Sequence, residues 1–140
     1  TSMPLENGVV PSSSYPEGGK EYKAQTAIGG GPVLTLGGEI INSWENEFLS
    51  VSVDSNRPRT AIGYIPETER IVIFACAGDG VEGVNGLTLD NTANVLLSIG
   101  CTESINLDGG GSTVMLFNGN EIIKSSDGTQ RRVGSCAAFK

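Results

Sequence analysis

The sequence predicts an α+β fold, built from a β-rich mixed sheet, several hairpins and one main helix. Short apolar runs that alternate with Gly- and Pro-containing turns are typical of strands joined by hairpins. A stretch at about residues 88–99 has the period of an amphipathic helix. Because one apolar run precedes this helix and another follows it, the three elements predict a β-α-β crossover, whose two strands run parallel.

The chain is long enough for one domain. Its 140 residues are 38% hydrophobic, which allows a real core and does not indicate a second domain. Residues 1–23, rich in Pro, Gly, Ser and charged side chains, are predicted to be irregular, and residues 24–140 to form the domain, with a short strand near 24–28. The chain begins at Thr1 without a signal peptide or an initiating Met, and we expect it to be a processed or excised piece.

Several strands are predicted before the helix. Gly37-Gly38 lies between two apolar runs and predicts a two-residue hairpin turn. Residues 66–69 predict a second turn, because they contain Pro and polar residues between two apolar runs. The run Ile71-Val72-Ile73-Phe74-Ala75 has no polar face, which predicts a central strand. The predicted strands lie at residues 33–36, 39–41, 48–54, 59–65 and 70–77.

Capping residues mark both ends of the helix. Thr88 is predicted as the N-cap and Gly100 as the C′ residue. Between them, Leu89, Ala93 and Leu96 fall on one face at helical spacing. A further strand is predicted at residues 103–107, so the helix connects two strands of the sheet.

Two carboxylates are predicted to converge beyond this crossover. Asp79 follows the strand before the helix, and Asp108 follows the strand after it. The carboxyl ends of parallel strands lie at one edge of a sheet, and ligands bind in crevices there. Asn106 lies two residues before Asp108, on the same strand face. The alternative for each Asp is an ordinary turn residue that bonds its own backbone.

The segment Asn106–Thr113, which reads Asn-Leu-Asp-Gly-Gly-Gly-Ser-Thr, ends a strand with a carboxylate and three glycines. Glycine loses much backbone entropy on folding, so three in a row indicate positive φ angles or a ligand packed against bare backbone. Another apolar run follows at residues 114–117. The segment therefore predicts a strand, an acidic glycine turn and a second strand.

Composition excludes several classes of function. The net charge of −7 argues against nucleic acid and against an anionic membrane surface as partners, and no stretch is long enough to span a membrane. The absence of histidine excludes Ser-His-Asp catalysis and HExxH zinc sites. Chemistry must therefore use carboxylates, arginines, hydroxyls and backbone.

The sequence contains three widely spaced cysteines, Cys76, Cys101 and Cys136. They are predicted to be free buried thiols, and the alternative is one disulfide and a spare thiol.

Two arginines are candidates for binding an anion. Arg59 alternates with Ala61 and Gly63 on one strand face, which leaves room for a ligand beside its guanidinium. Arg131 and Arg132 precede a final predicted strand at residues 133–139, and one of the two is expected to point inward. A planar guanidinium binds phosphate oxygens in pairs, although a solvated surface charge is the alternative for each. No Walker loop is present, and a calcium loop is a weaker interpretation because the alternating acidic ligands of an EF-hand are missing.

A series of short motifs occurs in a recognisable order: Gly29-Gly30-Gly31-Pro32, Arg59-Thr60-Ala61-Ile62-Gly63, Asp79-Gly80, Gly86-Leu87-Thr88-Leu89, Gly100-Cys101, Asn106–Thr113, and Arg131 with Val133. Together they resemble the phosphodiester glycosidase family, the family of the "uncovering" enzyme that removes N-acetylglucosamine from a phosphodiester. The resemblance covers residues 24–139, and the segment Asn106–Thr113 is its specific part.

The resemblance implies a hydrolase that cleaves a sugar-1-phosphodiester at the anomeric carbon. It implies no metal or other cofactor, and a calcium ion is not predicted. The resemblance implies that the residues at these motif positions form the site. Within it, we expect Asp79, Asn106 and Asp108 to be catalytic. Substrate and phosphate would be bound by Arg59, Thr88, Gly109, Gly110, Gly111, Ser112, Thr113 and Arg131.

The resemblance also implies a phosphorylated carbohydrate as substrate and an extracytoplasmic, bacterial location, in exopolysaccharide or surface glycan metabolism. The absence of an N-glycosylation sequon fits a bacterial source. The family's upstream block of glycine, asparagine and aromatics is not found before residue 24, so a further segment or a second chain is expected to complete the domain. Two alternatives are a non-catalytic module that binds phosphorylated glycans and a calcium-stabilised structural module.

Overall fold

Strands dominate the computed structural model, which describes residues 27–41, 44, 47, 49–134 and 136–139. The predicted irregular segment 1–23 lies outside these residues, as do residues 24–26 of the strand predicted near 24–28, while residues 27 and 28 are irregular. The elements are β1 (Val33–Leu36), β2 (Glu39–Ile40), β3 (Arg59–Ile65), β4 (Arg70–Cys76), α1 (Leu89–Ser98), β5 (Glu103–Asn106), β6 (Met115–Phe117) and β7 (Asn120–Ile123).

Five strands form the main sheet in the order β2-β1-β5-β3-β4, and β6 and β7 form a separate hairpin. One main helix beside these sheets confirms the α+β class. β4 and β5 are both antiparallel to β3 and therefore run parallel to each other, as the crossover predicted. They are not neighbours, because the hairpin strand β3 lies between them. The predicted mixed sheet accordingly has antiparallel neighbours throughout its described strands.

The local signals for the first hairpin and the helix are confirmed. Gly37 and Gly38 join β1 to β2 with φ angles of 60° and 82°, which suit glycine in a two-residue turn. The Thr88 hydroxyl accepts a hydrogen bond from the Asn91 backbone N–H at 3.1 Å and caps α1. At the other end, Gly100 has a φ of 96° and donates its N–H to the Leu97 carbonyl.

The core lies between α1 and one face of the sheet. Leu89, Ala93 and Leu96 of the helix are at most 1% exposed and pack with Ala61 of β3 and with the rest of the buried cluster. Gly63 provides the space for a buried thiol, because a Cβ there would lie 2.6 Å from the Cys101 Sγ. The small residues of β3 therefore let the helix and the turn after it approach the sheet closely.

The opposite face of the sheet presents apolar side chains. Ile71 and Ile73 of β4 are 63% and 38% exposed, and an open apolar groove is lined by Ile28, Ile62, Ile71, Ile105, Leu107 and Phe139. The prediction of β4 as a central strand is wrong, since β4 lies at one edge of the sheet that the described residues form. The apolar residues of β4 indicate that both faces of the strand are apolar, but they do not indicate whether a strand pairs with each of its two edges.

Two predicted strands are absent from the described residues. Residues 49–54 are irregular because their carbonyls meet other donors: Ser52 accepts from the Arg59 side chain and Val53 from the Leu89 backbone N–H. The described part of 133–139 is likewise irregular. β7 was not predicted, although Asn118-Gly119, with positive φ at both residues, is a standard hairpin turn.

In the part of the chain that the structure describes, no helix is long and apolar enough to cross a membrane.

The three cysteines are free and differ in access. Cys101 is fully buried, Cys76 is partly buried and Cys136 is exposed, so the prediction of buried thiols is wrong for Cys136. Burial raises the pKa of both the Cys76 and the Cys101 thiol, which lowers the fraction of reactive thiolate near neutral pH.

We expect Cys136 to react first with a chromogenic disulfide reagent at pH 7.5, because its sulfur is accessible and the other two thiols are protected and protonated. One fast equivalent in native protein and three equivalents in denaturant are the expected result. Replacing Cys136 by serine should remove the fast phase. A fast phase that persists in this variant would contradict the assignment.

Candidate active site

The backbone at the start of β3 organises one edge of the sheet, where β4 and β5 both end. The Pro58 carbonyl accepts a hydrogen bond from the Gly110 N–H at 2.9 Å. Gly78 packs so closely that a Cβ there would lie 2.6 Å from the Pro58 nitrogen, and a Cβ on Gly109 would lie 2.7 Å from the Pro58 oxygen. The loops after β4 and β5 therefore meet at Pro58, as the crossover predicted.

Asp108 lies on the loop after β5 with its side chain exposed. Leu107 donates its N–H to the Thr60 carbonyl at 2.8 Å before it, and the Gly110 N–H bonds Pro58 after it. Among the residues that the structure describes, the Asp108 carboxylate has no hydrogen-bond or ion-pair partner. It is thus an open carboxylate on a loop that is anchored on both sides.

The three glycines after Asp108 each meet a separate requirement. Gly109 has no space for a side chain because of the Pro58 carbonyl. Gly110 has a φ of 56°, which favours glycine. Gly111 packs against the carboxylate of Asp127, into which a Cβ would project. The three glycines thus allow other groups to approach the backbone closely, as the sequence predicted. In this structure those groups are Pro58 and Asp127 of the same chain.

Arg131 contacts the end of the glycine loop at Ser112. Its Nη2 and Nε donate to the Ser112 hydroxyl at 2.7 and 3.2 Å, and Nε lies 3.6 Å from Asp127 Oδ2. The buried Ser125 hydroxyl donates to the Gly111 carbonyl at 2.7 Å and accepts from the Asp127 N–H. One edge of the guanidinium is held in this way, and Nη1 has no partner among the residues that the structure describes.

Arg59 is buried, with only 4% of its surface exposed. Its Nε donates to the Leu87 carbonyl at 2.8 Å, and its Nη2 donates to the carbonyls of Ser52 and Ser55 at 2.5 and 2.8 Å. Burial and the nearby positive charge of Arg57 lower the pKa of this guanidinium. The space that the sequence predicted beside Arg59 is therefore occupied by backbone of the neighbouring loops.

Arg57 and Asp79 form an ion pair on the outside of the same strand end. Arg57 Nη1 lies 3.2 Å from Asp79 Oδ1, and the two side chains are 50% and 29% exposed. Sequence reasoning did not single out Arg57 or Asp127. For Arg57 a signal was present, because it precedes Arg59 by two residues and so shares its strand face. Asp127 precedes Gly128 and looks like an ordinary turn residue.

Three polar residues hold the glycine loop from inside. Asn106 is 4% exposed, and its Nδ2 donates to the carbonyls of Gly31 and Leu107 at 2.9 and 2.8 Å. Its Oδ1 is buried without a partner in the described part of the chain. Thr113, fully buried, accepts a hydrogen bond from the Thr60 hydroxyl. Asn106 thus lies beneath the loop on which Asp108 is exposed.

Three ion pairs in the described residues involve the segment before β3 and the loops after β4 and β7. In addition to Arg57–Asp79 and Arg131–Asp127, Lys124 Nζ lies 2.8 Å from Glu82 Oε1 and joins the loop after β4 to the end of β7. This hydrogen bond and the attraction between the charges lower the pKa of Glu82 and raise that of Lys124. Within the described residues, no group of three or more Cys, Asp or Glu side chains is placed to hold a metal ion.

The chain belongs to the phosphodiester glycosidase family, because the model of that family matches residues 3–140. The family resemblance carried by the sequence motifs is thereby confirmed. Among curated proteins no relative matches the chain.

Solved structures are similar to the chain over most of its length. A hypothetical protein from Synechocystis is 26% identical, with a TM-score of 0.62 over 73% of this chain and 19% of that one. The catalytic domain of zebrafish N-acetylglucosamine-1-phosphodiester α-N-acetylglucosaminidase, auto-inhibited by its pro-peptide, is 30% identical, with a TM-score of 0.57 over 71% of this chain. The chain spans 34% of that domain, so it corresponds to about a third of it.

Proposed function

We propose that the protein hydrolyses a sugar-1-phosphodiester, of the N-acetylglucosamine type, at the anomeric carbon. The observation that supports this most directly is the open Asp108 carboxylate on the glycine loop, at a position inside the family match. The zebrafish structure, whose name describes a glycosidase that acts on N-acetylglucosamine-1-phosphodiester, supports the choice of substrate class.

The substrate explains how a site without histidine can work. Cleavage of the diester at the anomeric carbon releases a phosphate monoester, which is a stable anion, so the leaving group needs less protonation than the alcohol of an ordinary glycoside. The Nη1 donors of Arg131 can stabilise the charge that develops on the departing phosphate. Since Ser112 and Asp127 hold this guanidinium in place, little reorganisation is needed at the moment of reaction.

Asp108 acts at the sugar, as general base toward water or as nucleophile. In the first case the water oxygen bonds to the anomeric carbon, its proton passes to Asp108, and the carbon–oxygen bond to phosphate breaks with its electron pair on the phosphate. In the second case the carboxylate itself bonds to the anomeric carbon while the carbon–oxygen bond to phosphate breaks with its electron pair on the phosphate. Water then attacks the anomeric carbon of this glycosyl ester, which returns the Asp108 carboxylate, releases the sugar and gives one proton to solvent. The configuration of the first sugar product, observed by NMR, distinguishes inversion from retention.

Hydrolysis of UDP-N-acetylglucosamine in ¹⁸O-labelled water tests the proposed reaction. Cleavage of the carbon–oxygen bond places the label in the released sugar, and this is the expected result. A label found in the released nucleotide would instead show cleavage of a phosphorus–oxygen bond and would contradict a glycosidase. Binding of N-acetylglucosamine 1-phosphate without turnover of any diester would favour the non-catalytic binding module.

A further inference from the structure

Two arginines at the start of β3 have opposite environments. Arg59 donates to three backbone carbonyls and is almost fully buried, so its guanidinium is committed to the fold. Arg57 is half exposed and makes one ion pair through Nη1, to Asp79. A guanidinium has five N–H donors, and among the described residues only Nη1 of Arg57 has a partner, which leaves its other donors for a ligand.

The position of Arg57 is fixed relative to the glycine loop. Its backbone N–H donates to the Leu87 carbonyl at 3.1 Å, and its carbonyl accepts from the Leu87 N–H at 3.0 Å. The next residue, Pro58, holds Gly110. Arg57 is therefore joined to the glycine loop through Pro58, and Arg131 contacts the same loop through Ser112.

Asp79 is held for this pairing. Its φ of 53° is left-handed, which is uncommon for a residue other than glycine, and its carboxylate lies 3.2 Å from Arg57 Nη1. A carboxylate that is already paired with a guanidinium orients that guanidinium and restricts the rotation of a long side chain. Asp108, by contrast, has no such partner in the described residues.

We propose that Arg57 is the guanidinium that binds the substrate phosphate together with Arg131, and that Asp79 is a positioning residue acting through Arg57. This inference rests on the proposed function, and it changes two roles that we expected from the sequence. Arg57 takes the phosphate-binding role expected of Arg59, and Asp79 supports an arginine instead of acting at the sugar.

The test uses Arg57→Gln, Asp79→Asn and the double variant, with kcat and KM measured on the diester and binding of N-acetylglucosamine 1-phosphate measured by calorimetry. Loss of Arg57 is expected to weaken binding of the sugar phosphate and to raise KM, each by about 10- to 100-fold, the size of a hydrogen bond between charged groups. Arg57→Lys, which keeps the charge and loses the planar fork, is expected to give an intermediate value.

The double variant separates the two possible roles of Asp79. If Asp79 acts only through Arg57, Asp79→Asn raises KM in the wild-type background and has no further effect once Arg57 is replaced. If Asp79 acts on the sugar, the same change lowers kcat in both backgrounds and overturns the positioning role.

Arg70→Gln is the matched control, because Arg70 is an exposed arginine at the far end of the β3–β4 pair. It should leave KM and binding unchanged. Diester turnover by the wild type with unchanged KM and binding in Arg57→Gln overturns this inference and leaves the proposed function standing. Loss of sugar-phosphate binding in Arg57→Gln, in a protein that turns over no diester, supports the anion site while contradicting the proposed reaction.

Discussion

Replacing Asp108 by asparagine should lower kcat for the diester by about 10²- to 10⁴-fold, the range over which a general base contributes to rate. The amide neither accepts a proton nor attacks the anomeric carbon. Stability should change little, because the Asp108 side chain is exposed and the loop is held by its backbone. Steady-state kinetics and thermal melts of the two proteins measure the two effects separately.

Glu67→Gln is the matched control for this experiment. Glu67 is also an exposed carboxylate, in the turn between β3 and β4 at the opposite end of β3 from the site. Its replacement should leave both kcat and KM unchanged. Wild-type kcat in the Asp108→Asn variant would remove Asp108 from the mechanism, whatever the role of the arginines.

A second large effect is expected at Gly86, which has a φ of 90° and packs against the Arg57 backbone, where a Cβ would overlap the carbonyl group. Gly86→Ala must therefore separate the two strands of backbone that Arg57 and Leu87 pair. We expect a loss of about 3 kcal/mol or more in the free energy of unfolding, in the range of the more severe single substitutions. Denaturant titration measures it.

Gly83→Ala provides the comparison within the same loop. Gly83 also has a left-handed φ, 78°, but no heavy atom lies within 4 Å of a Cβ placed there. Its replacement should cost only the conformational penalty, about 1–2 kcal/mol. The difference between the two variants isolates the steric contact with Arg57. Equal losses would show that this contact does not stabilise the fold.

Local chemistry in the sequence was sufficient for several elements and for part of the site. Thr88 and Gly100 bracket α1 because capping depends on a few adjacent residues. The meeting of the loops that bear Asp79 and Asp108 followed from the crossover alone, since it requires only that the two strands run in the same direction.

The remaining features depend on contacts between distant residues. Arg59 looked open to a ligand because its strand neighbours are small, yet the carbonyls of Ser52, Ser55 and Leu87 fill that space. The same contacts explain why residues 49–54 do not pair as a strand. The position of β4 at the sheet edge likewise depends on contacts between distant parts of the chain.

The Pro58 peptide contacts two loops of the site. The loop after β4 reaches it through Gly78, and the loop after β5 reaches it through Gly109 and Gly110. Because both loops contact this one peptide, a small shift of the strand end displaces the two loops together. The spacing between the side chains of the two loops is then preserved. The proline ring, which fixes φ near −65°, makes that peptide stiff. Contact with Pro58 therefore aligns the loop after β4 and the loop after β5 with each other.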